Sequence, residues 1–108
     1  MNVKEMAEAL GLEQATPVQN AKVNGVYVCD LLSRVMGNCE SGDVWITVQT
    51  HLNVLAVAEL ADASCMIIPE GISVDESIKE KAVEKEISLL LSDMTAYELC
   101  WKIHDLLA

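Results

Sequence analysis

The sequence predicts one α/β domain: a mainly parallel sheet of four or more strands with helices on both faces. Three observations predict it. Short apolar runs rich in Val, Ile and Leu alternate with segments of helical periodicity. The connections between them are short, as they are where strands and helices alternate around a parallel sheet. Hydrophobic residues make up 52% of the 108 residues, and a chain of this size hides about 65% of its unfolded surface, so the core needs no metal or disulfide.

The elements follow in order. Val3, Met6, Ala7 and Leu10 recur at helical spacing, and Gly11 ends that helix. After a loop with Pro17, Lys22 to Cys29 reads as a strand with an irregularity at Asn24-Gly25. Asp30 stands where it caps a helix through Leu31, Leu32, Val35 and Met36, which the turn from Gly37 to Gly42 stops. Val44–Val48 is the next strand and Leu52–Leu60 the next helix. Ser64–Ile68 is a third strand, closed by Pro69. Ser73 with Glu76 forms a capping box for a helix to about Lys85. Ile87–Leu91 is a fourth strand, and Thr95 with Glu98 is a second capping box for the last helix. No linker, repeat or low-complexity tract interrupts the chain, so residues 1–108 form one domain.

Two helices carry more apolar surface than one core stripe needs. Leu52–Leu60 is apolar nearly all round, broken by Asn53 and Glu59, which predicts burial in a core or under a partner. In the last helix, Ala96, Leu99, Cys100, Ile103 and Leu107 make the core stripe. Tyr97, Trp101 and His104 form a second one, turned about a third of the way round by the ~100° step per residue. Either another segment covers that stripe, or it is a self-association surface of the aromatic kind found at interface centres.

The chain has 17 acidic and 7 basic residues, a formal charge of −10. That excludes nucleic acid, whose binding rests on Lys and Arg neutralising phosphates, and disfavours an anionic membrane. Cys29, Cys39, Cys65 and Cys100 contain no C-x-x-C pair and fit neither a disulfide framework nor a zinc site. With no secretory signal and no long apolar stretch, the expectation is a cytoplasmic protein without metal or cofactor.

No P-loop, dinucleotide fingerprint or nucleophile elbow exists. What the fold predicts instead is a crevice at the carboxyl edge of the sheet, the usual ligand position in open α/β folds. The junction after Val44–Val48 carries Gln49, Thr50, His51 and Asn53; Asp30, Gly71 and Thr95 stand at the other strand ends. Thr50 and Thr95 beside helix N-termini suit an anion, although Thr95 and Asp30 also suit plain capping. Gln49 and His51 are not preferred caps. An acid–base pair of His51 with Asp30 or Asp93, as in a small transferase or hydrolase, requires those side chains to meet.

These residues also carry a resemblance. VKEMAEALGLE, GVYVCDLLSRVM, GDVWITVQTHLNVLAVAELA and MIIPEGISVDESIKEKAVEKEISLLLSDMTAYELCWKI, in that order and spacing, resemble a DRTGG domain over nearly the whole chain. That module occurs in some phosphotransacetylases and CBS-domain pyrophosphatases, and is similar to the N-terminal domain of HPr kinase/phosphorylase. The five signature residues correspond to Ala21-Lys22-Val23-Asn24-Gly25, of which only Gly25 survives. Any ligand contact made by the lost acidic and basic residues is lost with them.

The resemblance implies a regulatory or dimerising module and not a catalyst, because the kinase chemistry needs a P-loop domain. The resulting expectation is a homodimeric sensor of a small anionic or nucleotide-like metabolite, with a signalling or redox protein as partner. The alternative is a protein-binding adaptor that takes no small ligand and uses the Tyr97, Trp101 and His104 stripe.

Overall fold

The computed structural model describes residues 1–108. In chain order the elements are α1 (Val3–Leu10), β1 (Glu13–Gln14), β2 (Gly25–Val28), α2 (Leu32–Asn38) and β3 (Asp43–Ile46), followed by α3 (Asn53–Ala61), β4 (Cys65–Ile68), α4 (Glu76–Glu84), β5 (Leu89–Leu91) and α5 (Ala96–Leu107). One five-stranded sheet has the order β1-β5-β4-β3-β2, parallel except for β1, which pairs antiparallel with β5. The predicted α/β class and the helices on both faces are what the structure has.

The strand order explains the layers. From β2 to β5 each strand lies beside the one before it, and right-handed crossovers that always step the same way put their helices on the same face. Accordingly α2, α3 and α4 share one core with Trp45, Met66, Ile68 and Leu89. The opposite face packs α1 and α5 on Val44, Ile46, Cys65, Ile67 and Leu90. Alternate residues of one strand therefore serve different cores, as the two-residue strand period requires. All four residues of β4, the central strand, are buried, and this is why it reads as an unbroken apolar run.

The caps differ from the sequence pattern at several helices. Asn2 and Glu5 form a reciprocal capping box on α1, and Gly11 closes it at φ 63°. Helix α4 begins at Glu76 behind Asp75, whose side chain makes no cap bond, so the Ser73–Glu76 box does not form. At α5, Thr95 does cap, accepting from the Glu98 N–H at 3.2 Å. The other half of that box is missing, because Glu98 pairs with Lys102 at 3.2 Å.

Strand β2 is shorter than its apolar pattern; Lys22 forms only an isolated bridge with Asn2. Helix α3 also has a wet side. Val54, Leu55, Val57, Ala58 and Ala61 are buried, while Leu60 is 75% exposed. Strand β1 carries no apolar signal at all. Thr16 secures it from the loop behind, donating to the Ile87 carbonyl at 2.8 Å and accepting from Leu89 N–H at 2.9 Å.

Candidate functional site

The carboxyl edge of the parallel strands has two halves. Over β2 and β3, Asp30 does not cap α2, which has no side-chain cap. Its carboxylate reaches across to the exit of β3, accepting from Thr47 Oγ1 at 2.7 Å and from the Val48 N–H at 2.9 Å. Gln49 completes the cluster. Its Nε2 donates to the Asp30 carbonyl at 3.1 Å and its own N–H to Thr47 Oγ1 at 3.2 Å. Below them the Trp45 indole donates to the Cys29 carbonyl at 2.9 Å. Two residues expected at a ligand site thus hold the β2 and β3 exits together. Thr50 is half-buried, and His51 and Asn53 are exposed at the start of α3.

Over β4 and β5 the edge is open. The chain leaves β4 toward α4 on one face and leaves β5 toward α5 on the other. Adjacent strands whose connections part to opposite faces leave a crevice between their carboxyl ends. A cavity of about 600 Å³ lies there, walled by Gly71, Ser73, Ser92, Asp93 and Met94 from the two departing turns. Gly11 and Glu13 close a third side, because β1 antiparallel to β5 sets Glu13 opposite Leu91. Lys79 reaches in from α4.

The turns are fixed by backbone bonds. The Glu70 N–H donates to the Met94 carbonyl and the Gly71 N–H to the Ser92 carbonyl, both at 2.9 Å. Glu70 and Gly71 have φ of 63° and 68°, and the Ile72 N–H returns to the Pro69 carbonyl at 3.4 Å. That is a turn with two left-handed central residues, as in type I′. Asp62 and Glu86 also have positive φ, but each follows a helix end, where that conformation is common. Glu70 holds it in a turn at the rim of the cavity, a place where strained backbone often serves function. A Cβ on Gly71 would meet Asp93 Oδ1 at 3.0 Å. Gly is favoured there by φ, and a larger residue would have to push the exposed Asp93 carboxylate aside.

Of the residues expected from sequence, Gly71 lines this cavity and Thr95 follows its wall residue Met94. Asp30, Gln49, Thr50, His51 and Asn53 belong to the other half of the edge. Asp93, the other acid weighed for a pair with His51, lines the cavity too, whereas Glu13 and Lys79 are brought there only by tertiary structure. An acid–base pair on His51 does not form: Asp30 is bonded to Thr47 and Val48, and Asp93 stands beside Gly71. Cys65 and Cys39 make poor nucleophiles. Burial pushes Cys65 up to about 12, and burial with the nearby Asp43 and Glu40 carboxylates pushes Cys39 up to about 11. No group of three or more His, Cys, Asp or Glu is placed to hold a metal ion, and no helix is long and apolar enough to cross a membrane.

The second stripe of α5 is uncovered. Tyr97 is 80% and Trp101 46% exposed, with His104 exposed beside them. The Lys102 ammonium sits 5.6 Å from the centre of the Trp101 ring, within cation–π range. The opposite edge of the sheet holds residues 21–25, the segment compared above with the DRTGG signature. There Asn24 N–H donates to the Gly42 carbonyl at 2.9 Å, and Gly25 begins β2 against Asp43. That segment and the cavity lie at opposite ends of the strands.

Comparison with protein-family profiles finds no match, and comparison with curated proteins finds none that is significant. Among solved structures the chain is similar to the CBS and DRTGG domains of the regulatory region of Clostridium perfringens pyrophosphatase, complexed with its activator diadenosine tetraphosphate. The TM-score is 0.72 at 15% identity. The match covers 91% of this chain and 44% of the other, so this chain spans less than half the length of that regulatory region. At such identity the likeness is one of fold: this chain shares its α/β architecture with part of a regulatory region.

Proposed function

We propose that this chain is a non-catalytic regulatory domain of the DRTGG type, one unit over residues 1–108, which dimerises and senses a small anionic or nucleotide-like ligand at the carboxyl edge of its sheet. The observation that carries this reading is the open cavity where the β4 and β5 connections part. Its volume falls within the ~300–1,000 Å³ of small-ligand sites. The shared fold with the regulatory region of a pyrophosphatase that takes a nucleotide activator supports the same class. Gly71 forms part of the wall, with Thr95 behind it. Gln49, Thr50, His51, Asn53 and Asp30 offer a second polar patch along the same edge, for a larger ligand or a partner.

Heat-unfolding scans against nucleotides and small anionic metabolites test the reading. A binding compound raises Tm in proportion to its occupancy of the native state. Ser73 is exposed at the cavity wall, so Ser73→Trp obstructs it without touching the core, and that variant should lose the response. A Gln49→Ala/His51→Ala double variant should keep it. If the double variant loses the response and Ser73→Trp keeps it, the ligand belongs over β2 and β3 instead. No Tm response to any compound in the panel sinks the sensing role.

One observation favours a second reading, a protein-binding adaptor. The exposed Tyr97, Trp101 and His104 stripe has the aromatic composition of interface anchors. Sedimentation of Trp101→Ala beside wild type separates the two uses. A self-association constant unchanged by the substitution removes this face from the dimer.

A further inference from the structure

The charged groups around the β4–β5 cavity give it a selectivity, an inference that rests on the reading that this cavity binds a ligand. Its charged lining side chains are Glu13, Asp93 and Lys79. Lys79 is the one cation among them, and its ammonium is shared with Glu76 at 3.8 Å. Glu13 is held in place by the β1–β5 pairing. Asp93 stands against Gly71 in the turn that departs from β5. The Ser73 and Ser92 hydroxyls add uncharged polarity, and Ile72, Leu91 and Met94 supply an apolar wall.

We propose that this cavity takes a nucleoside-like ligand bearing at most one phosphate and rejects polyphosphates. Two carboxylates facing one space suit a ligand that brings hydrogen-bond donors, and the adjacent hydroxyls of a ribose are such donors, commonly read by acidic side chains. The apolar wall suits the flat face of a base. One ammonium suits one phosphate. A second or third phosphate meets no further cation and enters the field of Glu13, Asp93 and Glu76 on a chain of net charge −10. Each such like-charge contact at about 4 Å, screened as in bulk water at this open cavity, weakens binding by roughly fivefold.

Calorimetric titration of the full chain with adenosine, AMP, ADP and ATP, and with the guanine series, tests this in low salt with and without magnesium. The expected order places the monophosphate at least level with the nucleoside, then a loss of roughly fivefold for each added phosphate. Lys79→Gln should erase any advantage of AMP over adenosine. Asp93→Asn, on an exposed side chain, should weaken adenosine and AMP together by removing a ribose acceptor, and should narrow the gap between AMP and ATP. ATP binding as tightly as AMP in either condition overturns the selectivity and leaves a ligand-binding cavity standing. Silence from every nucleoside and nucleotide overturns the nucleoside assignment, and the metabolite scan then decides separately whether the cavity binds anything.

Discussion

The two halves of the carboxyl edge begin from the same topology and end differently. Over β2 and β3, consecutive connections leave to the same face, the strand exits lie side by side, and Asp30, Thr47 and Gln49 bond across the space between them. Over β4 and β5, the connections leave to opposite faces and about 600 Å³ stays open. Polar residues at a strand exit therefore do not by themselves mark a binding site. Where neighbouring exits run together their polar groups satisfy one another, and where they part the edge stays open.

The closed half depends most on Trp45. This side chain is fully buried beneath the closed half, and its indole N–H is taken by the Cys29 carbonyl at 2.9 Å. Trp45→Ala should cost about 3–5 kcal/mol in urea unfolding, a large share of what a small domain has. Trp45→Phe keeps most of the packing and loses the hydrogen bond, so it should cost about 1–2 kcal/mol less than the alanine variant. Equal losses for both would mean that the indole bond, not the volume, fastens β2 to β3.

Asp30→Ala isolates the closed half without hollowing the core. It removes the acceptor used by Thr47 Oγ1 and the Val48 N–H. Because Asp30 is exposed, solvent replaces part of what is lost, and the expected cost is roughly 2 kcal/mol. Ligand responses of the β4–β5 cavity should be unchanged. A variant as stable as wild type would show that the carboxylate bonds are decorative; one that loses ligand binding would join the two halves into a single site.

The contrast between the halves also separates what the sequence makes legible from what it does not. Runs such as CMII and the helix stripes are local, so the class, the order of strands and helices and the Gly11 stop are readable from chemistry within a few residues. Asp30 misleads for a physical reason: a carboxylate before a helix has a local use as a cap, and the bond it makes in the fold is to residues 17 and 18 positions away. Strand β1 has only Glu13 and Gln14, two residues without strand chemistry, and is a strand because β5 offers it an edge. The cavity depends on which face α5 takes after β5. No window of sequence contains that choice, and so Gly71 and Asp93 are legible as strand-end residues while Glu13 and Lys79 are not.

Gly71→Ala sharpens the open half. At φ 68° an L side chain is strained, and its Cβ would stand 3.0 Å from Asp93 Oδ1, so stability should fall by roughly 1–2 kcal/mol. The same methyl group pushes Asp93 outward, and ligand response should weaken along with stability. A paired measurement, urea midpoint with ligand titration, distinguishes a turn that merely folds from one that also shapes the cavity. Loss of stability with unaltered binding would assign Gly71 to the backbone alone.

The smallest effect belongs to Thr95, where capping and ligand contact make different predictions. Its hydroxyl accepts from the Glu98 N–H at 3.2 Å, and removing such a cap costs about 1 kcal/mol. Thr95→Ser retains the acceptor, so it should recover nearly all of that loss, whereas Thr95→Ala should not. If Thr95 only caps, the cavity's affinity for a ligand stays the same in both variants once their lower stability is accounted for. If the hydroxyl also turns toward the ligand, Thr95→Ala weakens binding beyond the stability change while Thr95→Ser does not. Glu98 pairs with Lys102 rather than completing the box, so the threonine hydroxyl is the side-chain cap of α5, and a loss well under 1 kcal/mol would mean that water takes its place at that helix end.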